Sequence, residues 1–598
     1  MEFPPPLDTL SKDENSILEH YVEVLTYPVG SCIFAEHDPG DGCYIIDQGR
    51  VRIELGSDTH ADDENILGFM EPGNILGELS LLDRLPRSAS AFADTDVVVR
   101  RIGLQAIDNL VASQPHIGLL ILSTLGRNAS LKLRHATEQL DQYIHSKPDP
   151  LVDEMIERAV AAQKQIQDWS EERIDALLVA MAATIEAHAE ELAIATVAET
   201  KIGNVADKTI KNRYASVTVC KSLTGHQGYG QLTLDKQRQV AEIANPIGVV
   251  FGLVPMTNPT STFTFKALIC VKSRNAVILS PSKQASGVST QVGELLQEAL
   301  RQHGAPVDLI QWVKVGNSRK TASLFMKHKK IALILATGGP SMVKAAYSSG
   351  NPAIGVGAGN APALICADAD LELAAENVIL SKSFDNGLIC ASENNLVVNS
   401  TIRTNFVSEL EKHGAAVLST EESAALVREV VDSVKNKLKP EVVGQAAEKL
   451  ASAANIHRNY SIRLLVVPQE RVSPDSPFSF EKLAPLISLF TAADDNEGIE
   501  LCQKLLAIDG TGHTAIIYTQ NEGLIRRFGN EIPASRILVN APGVHGALGL
   551  VSGLVPSLTL GCGTFGHNST TDNVTYTHLL NIKRLAYYTP DMLRTSHL

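Results

Sequence analysis

Ile331–Tyr347 reads IALILATGGPSMVKAAY. Six apolar residues bounded by a turn signal predict a buried strand, Thr337-Gly338-Gly339 a tight turn, and Pro340 the first turn of a helix. Such a junction suits a pyrophosphate, because the first backbone N–H groups of a helix lack partners within it. The succession recurs upstream. An apolar strand at Gly248 to Val254 leads into TNPTSTFTFK (Thr257 to Lys266), and Ala276 to Leu279 leads into Ser280-Pro281-Ser282. Strands alternating with helices in this way predict a parallel α/β sheet with right-handed crossovers.

Composition sets the frame around that sheet. The chain has 598 residues, enough for two to four domains, and its 44% hydrophobic and 20% charged content is that of a globular protein. A formal net charge of -15 argues against non-specific binding to nucleic acid or anionic membranes. The N-terminus MEFPPPLDTLSKDEN has no basic and apolar leader and no apolar run is long enough to span a bilayer, so a cytoplasmic protein is expected. Eight cysteines lie scattered without a CxxC or Cys/His cluster, so neither a disulfide framework nor a metal site is indicated. There are no internal repeats.

The chain changes character near residue 145. From Tyr27 to Arg101 short β-type runs (CIFAE, CYIID, RVRIEL, VVVRRI) alternate with turn residues, as in a compact antiparallel barrel or sandwich, and Gly30, Gly40 and Gly49 are expected to need positive φ. A helix from about His116 to Tyr143 follows, closed by the turn SKPDP at Ser146 to Pro150. Between Gly73 and Ala93 stands GNILGELSLLDRLPRSASAFA. A helical turn at Gly77-Glu78-Leu79 would offer N–H groups to an anion, Arg87 could clamp a phosphate, and Glu78 could accept from a ribose hydroxyl.

This cassette, GEL with a nine-residue step from Glu78 to Arg87 and then Arg-Ser-Ala, resembles the cyclic-nucleotide-binding domain of catabolite activator proteins and protein kinase regulatory subunits. The resemblance covers about residues 10 to 140. It implies a jelly-roll barrel in which Gly77, Glu78, Leu79, Arg87, Ser88 and Ala89 hold a cyclic nucleotide and a C-terminal helix caps the base. Ser88 favours cAMP as effector, although a hydroxyl there also accompanies cGMP. Ser123, Thr124 and Ser130 are all candidates for the cap. The bland alternative is a structural barrel with an empty pocket.

In the second module the decapeptide FDNGLICASE (Phe384 to Glu393) sets one thiol, Cys390, in a glycine-containing turn. A thiolate attacks aldehydes and acyl groups well if its surroundings hold its pKa down, and Asp385, Asn386 and Ser392 are expected to supply a polar, partly accessible setting. The alternative is an ordinary buried cysteine. Asn258, at a strand end, could share an oxyanion hole with the Cys390 N–H, or simply cap the following helix. GVGAGN at Gly355 to Asn360 fails the dinucleotide fingerprint because Asn360 stands at its last glycine and no ribose-binding acid lies at the right distance, so its glycines can serve merely for close backbone approach.

Together ATGGPSMVKAAYSSGNPAIGVGAGN, SFDNGLICASE and PSLTLGCGTFGHNS resemble the aldehyde dehydrogenase superfamily, in its CoA-acylating branch, as in the N-terminal half of bifunctional aldehyde-alcohol dehydrogenases. The resemblance runs from about Leu151 to the C-terminus. It implies an aldehyde dehydrogenase domain at 146–598, with a cofactor-binding part at about 151–380 plus the C-terminal segment, a catalytic part at about 381–570 and an oligomerisation strand at about 571–590. The first module then occupies 1–145. Cys390 becomes the nucleophile and Asn258 the oxyanion donor. His513, in GTGHT, becomes a candidate base or orienter for the CoA thiol, against the plainer reading of a structural histidine. Glu481, in EKLAP, would bind the nicotinamide ribose, and Thr337, Gly338, Gly339 and Gly357 would line the cofactor cleft. The bifunctional enzymes continue into an iron-dependent half; here no iron is implied and no alcohol is expected.

Two departures from hydrolytic relatives matter. Val356 stands where those enzymes carry the glutamate that activates water, so the acyl-cysteine should persist until a thiol arrives. Ser280-Pro281-Ser282 replaces a Lys-Pro-Ser that contacts the adenosine ribose, which leaves NAD versus NADP open. The implied activity is reversible oxidation of a small aldehyde, acetaldehyde by default, with NAD and CoA to acyl-CoA under cAMP control. The rivals are hydrolytic oxidation to a free acid and a cyclic-nucleotide sensor on an inactive scaffold. The stretch Pro542 to Val555 is small and apolar, so the pocket can differ from those of relatives. LLNIKRLAYY (Leu579 to Tyr588) resembles the strand by which this superfamily pairs subunits, and at least a homodimer is expected.

Overall fold

The computed structural model describes residues 12–54, 66–146, 149–314 and 318–589, with side chains at all of these except 12, 135–146 and 340. The expectations for the first eleven residues and for the middle of the SKPDP turn lie outside the described residues. The chain divides into two compact units, Met1–Lys147 and Pro148–Leu598.

The first unit is built on two four-stranded antiparallel sheets. One has the order Val22–Tyr27, Val97–Gly103, Gly42–Gln48, Ile75–Leu76; the other runs Cys32–Phe34, Ser90–Ala93, Val51–Glu54, Ile66–Met70. Alternation feeds two cores: Val97 and Val99 pack with Ile46, Val51 and Leu76, while Ile102, of opposite parity, packs with Cys43, Ile45 and Ile75. Two helices follow, Leu104–Ser113, which the strand pattern hid, and Pro115–Ser146, which starts and ends slightly beyond the expected helix. Gly30 and Gly49 adopt positive φ (83° and 84°). Gly40 does not. It is needed for space, since a Cβ there would lie 2.3 Å from Ser80 Cβ.

The second unit opens with helices Pro150–Ile166, Glu171–Ala187 and Ala189–Thr200; the first packs on a five-stranded parallel sheet, and the other two pack on the helices Pro259–Lys272 and Ser286–Gln302. Its order is Ile310–Trp312, Ala276–Pro281, Val249–Val254, Ile331–Ala336, Ala353–Gly355. Strand order reverses between Val249–Val254 and Ile331–Ala336, and the crevice beyond the carboxyl ends at such a switch point is where open α/β sheets bind ligands. Asn258 follows one of these two strands and Thr337-Gly338-Gly339 the other.

A second, seven-stranded parallel sheet has the order Ala415–Val417, Leu464–Pro468, Leu486–Ala492, Glu393–Asn399, Ala361–Ile365, Gly512–Tyr518, Ala534–Val539. Glu393–Asn399 is buried at every position, as expected of a parallel strand covered on both faces. Because Ala361–Ile365 already belongs to this sheet, the sheets divide between residues 355 and 361, upstream of the boundary at about 381 expected from the sequence. The strand Leu580–Ala586 is an edge of a small antiparallel sheet, paired with Val240–Pro246. Among the described residues, no helix is long and apolar enough to cross a membrane.

Candidate active site

The two large sheets meet the site with opposite ends. The five-stranded sheet contributes residues after its carboxyl ends. The seven-stranded sheet contributes its amino ends: Gly359 before Ala361–Ile365, Cys390 before Glu393–Asn399, and His513 at the start of Gly512–Tyr518. Between them lies a cavity of about 560 Å³ lined by Asn258, Ser280, Pro281, Ser282, Thr337, Gly338, Gly339, Val356, Gly357, Cys390 and Glu481. The structure thus gathers almost every residue singled out for the catalytic module. His513 stands beside Cys390, its Nε2 3.1 Å from Cys390 Sγ and its Nδ1 2.9 Å from Thr514 Oγ1.

The turn that presents Cys390 is tightly specified. Asp385, Asn386 and Gly387 have φ of 46°, 55° and 73°, a left-handed run that non-glycine residues adopt only when surroundings hold them there. Asn386 Nδ2 donates to Gly444 O at 2.9 Å. Asp385 accepts from Asn204 N at 2.9 Å and pairs with Lys208 and Lys211. The glycines of GVGAGN serve close approach: a Cβ on Gly359 would lie 1.8 Å from Cys390 O. Asn360, at the position that breaks the fingerprint, is fully buried and donates to Ser479 O at 2.8 Å.

The electrostatics correct one expectation. Asp385, Asn386 and Ser392 do not supply the thiol with a polar setting; their side chains bind Lys208 and Lys211, Gly444 O, and Lys382 respectively. Burial, and next the Glu481 charge, push the Cys390 thiol up to about 12. Burial also holds His513 well below its ordinary value, with Arg536 acting in the same direction. Arg536 braces that strand by donating to His513 O at 2.9 Å and Gly561 O at 2.6 Å. The resting pair is therefore neutral thiol and neutral imidazole. Burial raises Glu481 to about 8, although it accepts from Gly359 N at 3.0 Å.

Asn258 precedes helix Pro259–Lys272 but its side chain makes no capping bond, so the capping alternative fails. Its Oδ1 accepts instead from Lys211 Nζ, and its Nδ2 donates to Thr257 Oγ1 at 3.2 Å. Sequence reading missed Lys208, Lys211 and Arg536. The spacing of the two lysines, three apart on helix Val205–Arg213, marks a common face, yet nothing local says that the face is buried.

The cofactor side fits a dinucleotide. Thr337 Oγ1 is buried without a hydrogen-bond partner and belongs to the cavity wall. A Cβ on Gly339 would meet nothing within 4 Å, and one on Gly338 only Met342 Cβ at 3.7 Å. Neither glycine is required by the protein's own packing, so their backbone stays open to a ligand at the start of Pro340–Tyr347. Leu548 and Leu558 line the cavity, whereas Leu550, Val551, Leu554 and Val555 are exposed. Most of the Pro542 to Val555 stretch thus lies outside the pocket wall.

In the first unit Gly77, at φ 72°, precedes helix Glu78–Asp83, and a Cβ on it would lie 2.2 Å from Arg87 Nη1. Arg87 is buried. It donates to Asp41 Oδ1 at 2.6 Å, Gly42 O at 2.8 Å and Gly77 O at 2.9 Å, and stacks over Phe34. A phosphate clamped by Arg87 would compete with Asp41. Glu78 is also buried, and accepts from Lys132 Nζ at 2.7 Å. Lys132, on helix Pro115–Ser146, was not foreseen. Ser123 and Ser130, two of the expected capping candidates, bond to backbone carbonyls of their own helix. Leu79 and Ser88 are exposed, and Ala89 is half-buried.

Comparison with known proteins agrees with this geometry. The aldehyde dehydrogenase family model matches residues 132–559, and the cyclic nucleotide-binding domain model matches residues 24–114. The bifunctional aldehyde-alcohol dehydrogenase AdhE of Escherichia coli K12 is 40% identical over 445 residues, 73% of this chain and 50% of that protein. The chain thus spans about half the length of that curated relative. The crystal structure of an acetylating aldehyde dehydrogenase from Geobacillus thermoglucosidasius superposes with a TM-score of 0.71 at 41% identity, covering 75% of this chain and 98% of that one. A Rhodopseudomonas palustris propionaldehyde dehydrogenase, solved with bound CoA and an acylated cysteine, gives 0.66 at 25% identity, covering 73% and 97%. The chain belongs to the aldehyde dehydrogenase family, its second unit carrying that fold and its first a cyclic nucleotide-binding domain.

Proposed function

We propose that the protein converts a small aldehyde, CoA and NAD(P) to the acyl-CoA, reversibly, through a thioester on Cys390. The observation that carries this reading is the pairing of Cys390 Sγ with His513 Nε2 at 3.1 Å in a cavity where the apolar Val356 replaces a water-activating acid. With Nδ1–H donated to Thr514 Oγ1, His513 Nε2 presents a lone pair to the thiol. The thiol proton passes to Nε2 as sulfur adds to the carbonyl carbon, and Asn258 Nδ2 with the Cys390 N–H stabilises the alkoxide. The Thr337-Gly338-Gly339 turn would hold the pyrophosphate of NAD(P) and Glu481 its nicotinamide ribose, and the cofactor would supply the hydride acceptor. His513 releases its proton to solvent, takes the next one from the CoA thiol, and returns it to Cys390 as the acyl group transfers. Thioester exchanges for thioester, which suits both directions. Acetaldehyde is the default substrate, and a homodimer or larger assembly through the edge strand Leu580–Ala586 fits the fold.

The first unit, on this reading, binds a cyclic nucleotide, cAMP by preference, between Glu78 and Arg87 and grades the activity of the second. Coupling of this kind is typically worth about 1–3 kcal/mol, roughly 5- to 150-fold. The deciding assay follows NADH formation from aldehyde with and without CoA, with product analysis, for the wild type and Cys390→Ser. Turnover to acyl-CoA that is lost in Cys390→Ser supports the reading. Free acid as the main product, or more than a few per cent of the rate surviving in Cys390→Ser, rejects it. Titration with cAMP in the same assay tests the regulatory part.

A further inference from the structure

Helix Val205–Arg213 turns two buried lysines onto one carboxylate. Asp385 Oδ2 receives Lys208 Nζ at 3.0 Å together with Lys211 Nζ, and Asp385 Oδ1 accepts from Asn204 N. All three side chains are at most 3% exposed. Burying two ammonium groups against one carboxylate is costly, and burial, then Lys211, holds Lys208 down to about 7. A cluster that costs stability and sits beside the reaction cavity calls for a reason.

Lys211 makes a second contact, to Asn258 Oδ1. An ammonium group has donors and no acceptor, so the Asn258 atom facing it has to be the carbonyl oxygen. The amide nitrogen is then turned the other way. An asparagine without such a neighbour can rotate its amide half a turn, which would set an oxygen where the substrate oxyanion forms. At its other end the cluster holds Asp385 in its left-handed conformation, five residues before Cys390.

We infer that Lys211 is a positioning residue: it fixes the amide orientation of Asn258 so that Nδ2 faces the developing alkoxide, and through Asp385 it sets that donor in register with the turn bearing Cys390. This rests on the reading of Asn258 as the oxyanion donor.

The test is a double-mutant cycle on the full chain, with NADH formation as readout. Loss of one oxyanion donor typically lowers kcat by about 10²–10³. Lys211→Met is therefore expected to lower kcat about 100-fold, with KM for aldehyde and NAD changed less than about threefold. Combined with Asn258→Ala it should add less than about threefold, because the lysine acts through the amide that is already gone. Lys211→Gln, which keeps an N–H donor without the charge, should recover part of kcat, and it replaces Lys211→Met in the cycle if that variant does not fold. Lys211→Met within about threefold of wild-type kcat, or a double variant slowed by the product of the two single effects, overturns the inference. Failure of the parent reading looks different: there Asn258→Ala alone leaves kcat within about threefold of wild type.

Discussion

Replacing His513 with Gln tests how a thiol with so raised a pKa becomes a nucleophile. With the Cys390 thiol pushed up to about 12, forming free thiolate at pH 7.5 lies some 4.5 units uphill. At about 1.4 kcal/mol per unit that is roughly 6 kcal/mol. A neutral imidazole nitrogen 3.1 Å from sulfur avoids much of this cost, because the proton moves while the carbon–sulfur bond forms. General-base catalysis typically contributes about 10²–10⁴-fold, roughly 3–5 kcal/mol. His513→Gln should therefore lower the rate of the first NADH-forming turnover, measured by stopped flow without CoA, by about that factor. The pH profile carries the sharper test. Burial holds His513 well below 6.5, so the wild-type rate should be flat from pH 7 to 9. The variant depends on prior ionisation of the thiol, and its rate should climb about tenfold per pH unit over the same range. A variant retaining more than a tenth of the wild-type rate with a flat profile refutes the base role.

Val356→Glu should add CoA-independent release of free acid to the existing activity, measured by product chromatography; a variant that makes acyl-CoA but no acid would show that access of water, not the missing base, governs the outcome. Glu393→Gln is expected to stabilise the protein at alkaline pH. Burial raises Glu393 to about 7 from 4.5, so its contribution is intact below pH 4.5 and is lost as pH rises through 7, about 3 kcal/mol by pH 8. The variant's thermal midpoint should exceed the wild type's at pH 8, with the gap closing towards pH 5; an equal gap at both pH values rejects the assignment. Arg87→Ala should weaken cAMP binding at least about 100-fold by calorimetry, the loss of two charge-assisted hydrogen bonds at about 1.5–3 kcal/mol each. Affinity within threefold of wild type would show that Arg87 remains committed to Asp41.

Local chemistry alone made much of this protein legible. The apolar run Ile331–Ala336 with its Gly-Gly-Pro stop, the matching run ending at Val254, and the thiol-bearing turn before Glu393–Asn399 all stand where the sequence places them, because strand, turn and helix signals act over a few neighbouring residues. The cassette from Gly77 to Arg87 was equally readable, down to the glycine before the short helix. What the sequence could not state is what surrounds each group. Cys390 meets His513 across 123 positions, and Asp385 meets Lys211 across 174. Whether polar neighbours surround the thiol depends on the packing of two sheets around it, and that packing withdrew the expected polar side chains while leaving Cys390 partly accessible. The same holds for Arg87 and Glu78. Their identities were plain from the motif, but their engagement by Asp41 and Lys132 is decided by where a separate strand connection and a distant helix come to rest. Sequence specifies which groups are present and how the backbone turns beside them; desolvation and ion pairing are sums over everything the fold brings near, and only the tertiary structure carries those sums.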